Sequence, residues 1–202
     1  MTAMATASTL LDLLHAPAKP ATLAKSAVVI VDAQREYLDG NVPLSGIEEA
    51  LVEIKKLLAK ARGLNAPIFH IVHHTQPGAP IFDPTSQNSH IIDSVKPEGS
   101  EPTIKKNLPS SFVNTDLDKF IKETGCEEVV IAGFMTHMCI NATTRSAVDL
   151  GYRPTIIGSA CATRDLPGPD GHVVSAATVH DSNLASLADL LACVCKSSDE
   201  LG

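Results

Sequence analysis

Cys139 is the residue of this chain best suited to covalent chemistry. It stands in "GFMTHMCINATTRSA" (133–147), just after an apolar run and one to three residues into a helical pattern. A free cysteine is most often a small buried hydrophobe. The placement of Cys139 argues for more. The first turn of a helix offers unpaired N–H groups and the positive end of the dipole, which favour a thiolate of lowered pKa, the nucleophilic form. The same N–H groups suit the oxyanion of a tetrahedral intermediate. Asp32 closes the apolar run "AVVIVDAQ" (27–34). A carboxylate there is costly unless it is paired or reaches the rim, so it reads either as a turn residue or as a general base in a dry pocket. "IKKNLPSSF" carries Lys105 and Lys106. Neighbours on a strand point to opposite faces, so one lysine can turn inward, and Asp32 is a candidate partner for it. The plainer reading is a solvated pair, with Lys105 as the outward alternative.

Other groupings are less specific. His70, His73 and His74 cluster, and Asp83, His90 and Asp93 follow. No helical HExxH or HxxxH spacing is present, and adjacent His73 and His74 at a strand end do not easily share one ion. These residues are read as a polar lining, and neither a metal nor another cofactor is expected. "GSACATRDLPGPDGH" has neither the P-loop nor the GxGxxG pattern, which argues against a phosphate cradle.

The elements that would position these residues alternate. Strands are expected at 27–34, 67–72, 103–108, 127–134, 153–160 and near 191–195. A helix is expected from Ser45, with Ser45 and Glu48 at capping-box spacing. Ile47, Ala50, Leu51, Ile54, Leu57, Leu58 and Ala61 form its apolar face, and Gly63 stands at its end. Further helices are expected from Asn114 or Thr115 to Gly125, from Thr136 to Leu150, and within 171–191. Strand–helix alternation predicts a single-domain α/β/α fold of three layers with a mostly parallel central sheet. Ligands bind such sheets at the C-terminal strand ends, where Asp32 and Cys139 both fall. The polar stretch 73–102 has no sustained period, and a loop of that length in a compact domain is commonly functional. Residues 1–25 read as an extension, with one short helix around 8–14, and residues 26–202 as the domain.

Composition narrows the partners. The formal net charge of −7 argues against nucleic acid and anionic membranes. Trp is absent, so the core rests on aliphatic residues. Five cysteines, an odd number without a CxxC pair, suggest neither a zinc ribbon nor a disulfide framework. A reducing, cytoplasmic location is expected. No apolar run approaches a membrane span, and the first 20 residues make a poor signal peptide.

Three segments in order carry a resemblance: "VVIVDAQREY", "KNLPSSF" followed by "TDL", and "VVIAGFMTHMCINATTRSAVDLGY". Together, over residues 25–195, the chain resembles the isochorismatase-like cysteine hydrolases, the group that includes nicotinamidases and N-carbamoylsarcosine amidase. The resemblance implies a triad of Asp32, Lys106 and Cys139, with Lys106 chosen because the family lysine stands six residues before the Phe, here Phe112. It implies a cis peptide between Phe134 and Met135, and an oxyanion hole from the N–H groups of Met135 and Cys139. It also places Gln34, Phe134 and His137 at the substrate, and implies a homo-oligomer, a dimer or tetramer. The implied reaction is hydrolysis of a C–N bond, amide or ureido, in a small molecule through a thioester. Nicotinamidases carry a D-x-H metal stretch after the second strand. This chain has "VHHTQPGAP" there, so no metal or pyridine substrate is expected. Two other readings stand beside this one. True isochorismatase chemistry on a vinyl ether would call for a basic pocket, with Arg35, Arg145 and Arg164 available. A non-catalytic or redox-sensing module would leave Cys139 without turnover.

Overall fold

The computed structural model describes residues 7–202. Six parallel strands form one sheet: β1 (Ser26–Val31), β2 (Ile68–His73), β3 (Thr103–Lys106), β4 (Glu128–Phe134), β5 (Arg153–Ala162) and, after the short antiparallel pair β6 (Leu166–Pro167) and β7 (Val173–Val174), β8 (Cys193–Cys195). Their order is β3-β2-β1-β4-β5-β8. All six residues of β1 are buried, as expected of a strand covered on both faces.

Among the described residues five α-helices accompany the sheet: α1 (Leu10–Leu13), α2 (Ile47–Gly63), α3 (Leu117–Thr124), α4 (Asn141–Asp149) and α5 (Ala176–Ala188). One core layer joins Val28 and Ile30 of β1 to α2, and the seven residues expected on the apolar face of α2 are the ones it buries. The other layer joins Ala27, Val29 and Val31 to Leu117 and Ile121 of α3, Ala147 of α4 and Leu187 of α5. Each fully buried Leu or Ile of these layers contributes about 1.5–3 kcal/mol by leaving water.

Several local expectations are corrected. The box of Ser45 and Glu48 does not form. The Ser45 N–H bonds the Thr163 carbonyl at 3.0 Å in a bridge to the far side of the site, and Gly46 becomes the N-cap at φ +73° without a side-chain bond. A tertiary tie thus displaces the local motif. The helix expected over 136–150 is two pieces, a π-helical turn at Thr136–Ile140 and then α4. Asp116 rather than Asn114 or Thr115 is the N-cap of α3, though the Thr115 hydroxyl accepts from the Leu117 N–H at 3.3 Å. Gly125 ends α3 at φ +75°, a left-handed position that favours glycine.

Part of the expected N-terminal helix forms, as α1. The Leu10 N–H bonds the Asp189 carboxylate at 2.8 Å and the Leu11 N–H bonds the Asp189 carbonyl at 3.1 Å, holding α1 against the end of α5. No helix among the described residues is long and apolar enough to cross a membrane.

Candidate active site

The chain runs β1, β2, β3 outward to one side, then returns to place β4 on the other side of β1. That reversal opens a crevice beyond the C-terminal ends of β1 and β4. Asp32 follows β1 directly, at φ +49°, a left-handed position uncommon for a residue with a side chain. Gly133, near the end of β4, adopts φ +121°, and a Cβ there would lie 2.0 Å from the Val31 carbonyl oxygen. Only glycine lets β1 and β4 approach this closely. The Phe134–Met135 peptide that follows is cis, as the resemblance implies. The π turn then carries Cys139 back over the strand ends.

Lys106 ends β3, whose burial alternates outward and inward, so Lys106 turns in while Lys105 turns out. Its Nζ lies 2.7 Å from Asp32 Oδ2 and 3.2 Å from Cys139 Sγ. It also contacts His73 Nδ1 at 3.0 Å and donates to the Leu108 carbonyl at 3.1 Å. Asp32, Lys106 and Cys139 are 0%, 3% and 4% exposed, so the cluster is almost closed to bulk water. The ammonium approaches Asp32 Oδ2 off the direction of a formed hydrogen bond, and neither carboxylate oxygen has an aligned donor.

Burial pushes the Cys139 thiol up to about 12, and the Asp32 charge adds to the rise, while Lys106 opposes it. The expected low-pKa thiolate is therefore not the resting form. Desolvation and a neighbouring carboxylate outweigh the lysine, and Cys139 rests as a thiol beside Asp32.

The remaining expected residues fall in different settings. Gln34 is fully buried, and its amide donates to the His73 and Ser89 carbonyls at 3.0 and 2.7 Å and accepts from the His73 N–H at 2.8 Å. It clamps the neck of the 74–102 segment. Phe134 is also fully buried and packs edge-on against Tyr37, with ring centroids 5.9 Å apart. His137 is half-buried, with Nδ1 2.6 Å from the Thr163 hydroxyl. Met135 precedes the π turn and is 9% exposed. Of the arginines, Arg35 pairs with Asp39, Arg145 bonds Asn141 and Ser186, and Arg164 keeps a buried Nε without a partner.

The histidine cluster separates. His70 bonds Glu101 at 2.9 Å, and Asp83 bonds Thr85 on the surface. The group of potential ligands that does converge is Asp32, His73 and Cys139. The Lys106 ammonium touches all three and occupies the place of a cation. Two neighbours were not singled out from the sequence. Phe82, held at φ +53° by a 3.1 Å bond from its N–H to the Glu36 carboxylate, packs on both His73 and Tyr37 at 5.2 Å. Glu36 is a buried carboxylate that ties this loop down. Both depend on how the 74–102 segment folds back, for which the sequence has no periodic signal.

The chain is similar to known proteins over nearly its whole length. The isochorismatase domain family model matches residues 26–196. A secreted isochorismatase effector, Isc1, of Verticillium dahliae is 35% identical over 188 residues, 93% of this chain and 96% of that protein. The ureidoacrylate amidohydrolase RutB of Rhizobium rhizogenes is 26% identical, covering 83% of this chain and 81% of its own. A crystal structure of an isochorismatase from Pseudomonas putida KT2440 superposes with a TM-score of 0.92 at 38% identity, covering 98% of this chain and 100% of that one. A parallel α/β sheet with a cysteine, a carboxylate and a lysine buried at its switch point defines the class. The chain belongs to the isochorismatase family of cysteine hydrolases.

Proposed function

We propose that the protein is a cysteine amidohydrolase that cleaves a C–N bond of a small amide or ureido compound without a metal. The observation that carries this reading is the Lys106 ammonium, 2.7 Å from Asp32 and 3.2 Å from Cys139 within one buried cluster. Asp32 takes the Cys139 proton as the sulfur attacks the carbonyl carbon. The N–H groups of Met135 and Cys139 receive the oxyanion, and Lys106 stabilises the charge on the sulfur. Asp32 returns the proton to the departing nitrogen. Water, activated by the same carboxylate, then hydrolyses the thioester. The amidohydrolase among the relatives supports C–N chemistry. Gln34, Phe134 and His137 would shape the pocket, Gln34 and Phe134 from behind it.

The test is ammonia release from a panel of small amides, ureido acids and nicotinamide, after chelator treatment, by the wild type and by Cys139→Ala. Turnover that survives chelation and disappears in Cys139→Ala is expected. Release that persists in Cys139→Ala overturns the mechanism. The isochorismatase name of the Pseudomonas putida structure favours vinyl-ether hydrolysis as the second reading. Turnover of isochorismate with none of any amide would establish it instead. We further propose a cytoplasmic homo-oligomer on the five free thiols and the family resemblance. Cell fractionation and sedimentation check the two parts separately.

A further inference from the structure

The turn that carries Cys139 is wider than an α-helix. The Met135 carbonyl accepts the Ile140 N–H at 3.2 Å, five residues on, as well as the Met138 N–H at 3.0 Å. Such turns are rare and are found mostly where a site needs them. Both ends of this one are fastened to α5. At its first residue, the hydroxyl of the fully buried Thr136 lies 2.9 Å from His180 Nδ1 and 3.2 Å from the Ala162 carbonyl at the end of β5. Just past its last residue, the Asn141 amide donates to Asn183 Oδ1 at 2.9 Å, and Asn183 in turn donates to the Val179 carbonyl at 2.8 Å. His180 and Asn183 are three residues apart on a helix, so they share one face of α5. Cys139 lies in sequence between the two fastenings.

These bonds fix the imidazole. A hydroxyl has one hydrogen, and a carbonyl only accepts. Thr136 donates to Ala162, so its oxygen accepts from His180, whose proton therefore sits on Nδ1. Burial favours the neutral ring, against the pull of the Asp181 carboxylate.

We propose that His180 is a positioning residue for Cys139: together with Asn183 it clamps the π turn to α5 and so keeps the sulfur within reach of Asp32 and Lys106. It acts through Thr136 and moves no proton. Without the clamp, the turn is free to tighten to the ordinary α pitch, with one residue fewer in each hydrogen-bonded ring. That change would swing Cys139 off the strand ends. The effect on turnover rests on the hydrolase reading, whereas the state of the turn is read without a substrate, so either can fail without the other.

The test uses the full chain. His180→Leu removes the donor at similar volume, and His180→Asn puts an amide nitrogen close to the place of Nδ1. Hydrogen exchange at the Met138 and Ile140 amides reads the turn. In His180→Leu both are expected to exchange about 3- to 10-fold faster than in the wild type, one hydrogen bond's worth, and in His180→Asn within about twofold of it. Amides of β1 and α2 should exchange alike in all three proteins. On the best amide of the panel, His180→Leu should lose about 100-fold in kcat with KM changed less than about threefold, as a displaced nucleophile does, and His180→Asn should recover most of that loss. Unchanged exchange at the turn in a folded His180→Leu overturns the proposal, and so does an unchanged kcat. If the wild type turns over no amide, the hydrolase reading fails and exchange alone decides the clamp. If His180→Leu does not fold, nitrogen-15 NMR of the wild type decides. A neutral His180 ring protonated on Nδ1 supports the proposal, and one protonated on Nε2 overturns it.

Discussion

Two carboxylates lie on either side of β2, each with a cation and a histidine beside it. Glu101 accepts from Arg62 Nε and Nη2 at 2.8 and 2.9 Å and from the Glu98 N–H at 2.9 Å, and it contacts His70 Nε2 at 2.9 Å. Burial alone would raise its pKa, but Arg62, the Glu98 N–H and His70 together hold it down to about 2. Asp32 has one cation at 2.7 Å, no aligned donor on either oxygen, and a thiol within reach. The ingredients are alike and the bonding differs. A carboxylate whose lone pairs are filled ties two segments together and has nothing left to accept. A carboxylate left underbonded beside a protonated nucleophile is arranged to take a proton.

Substitutions can break this contrast, and the largest effect is expected at Asp32. Asp32→Asn should lower kcat/KM on the best amide of the panel by about 1,000-fold or more, as loss of an acid–base residue does. Its thiol should nevertheless ionise more easily, because the charge that helps hold Cys139 up to about 12 is gone. Faster alkylation together with lost turnover is the signature. A variant that keeps turnover would remove Asp32 from the role. Lys106→Met should cost about 100-fold in turnover, within the range for a lost charge-stabilising group. It should shift the thiol in the opposite sense, further above its resting value, so that alkylation slows.

The structural carboxylate should behave in the reverse way. Glu101→Gln is expected to leave turnover within about twofold and to lower unfolding stability by about 2 kcal/mol, less than a fully buried ion pair would lose. Urea denaturation and the amide assay measure the two parts, and an activity loss larger than the stability loss would merge the two sites. The smallest effect is read by pH. The folded Glu101 carboxyl is depressed from 4.5 to about 2, so its contribution is fully present above the unfolded value and is lost as pH falls through that window. The stability of the wild type should therefore drop between those values more steeply than that of Glu101→Gln.

Much of this was legible in the sequence. The apolar stripe of α2 is periodic, and β1 is a short unbroken apolar run ending at Asp32, as a strand covered on both faces reads. Strand–helix alternation places Asp32 and Cys139 at one rim, and the resemblance adds Lys106. Alternation also says that one of Lys105 and Lys106 can turn inward; the resemblance implies Lys106 by its spacing to Phe112, and Lys106 is the one buried. The π turn was hidden because a change of helical pitch leaves no mark in an apolar pattern. The Ser45 cap failed because Thr163, more than a hundred residues away, claims its N–H. The resting thiol was misjudged for a related reason: its pKa follows from burial beside Asp32, which local spacing does not encode.

The 74–102 segment is fastened along its length, by backbone bonds such as Arg35 N–H to the His90 carbonyl and by side chains. Gln34 holds the His73 and Ser89 backbone, Glu36 holds Phe82, and Arg62 holds Lys96, Glu98 and Glu101. The spans between these fastenings carry none of the triad. Under the proposed function, a lineage could lengthen, shorten or exchange those spans while Asp32, Lys106 and Cys139 stay where they are. Such a chain would keep the chemistry of its strand ends through every change of its loop.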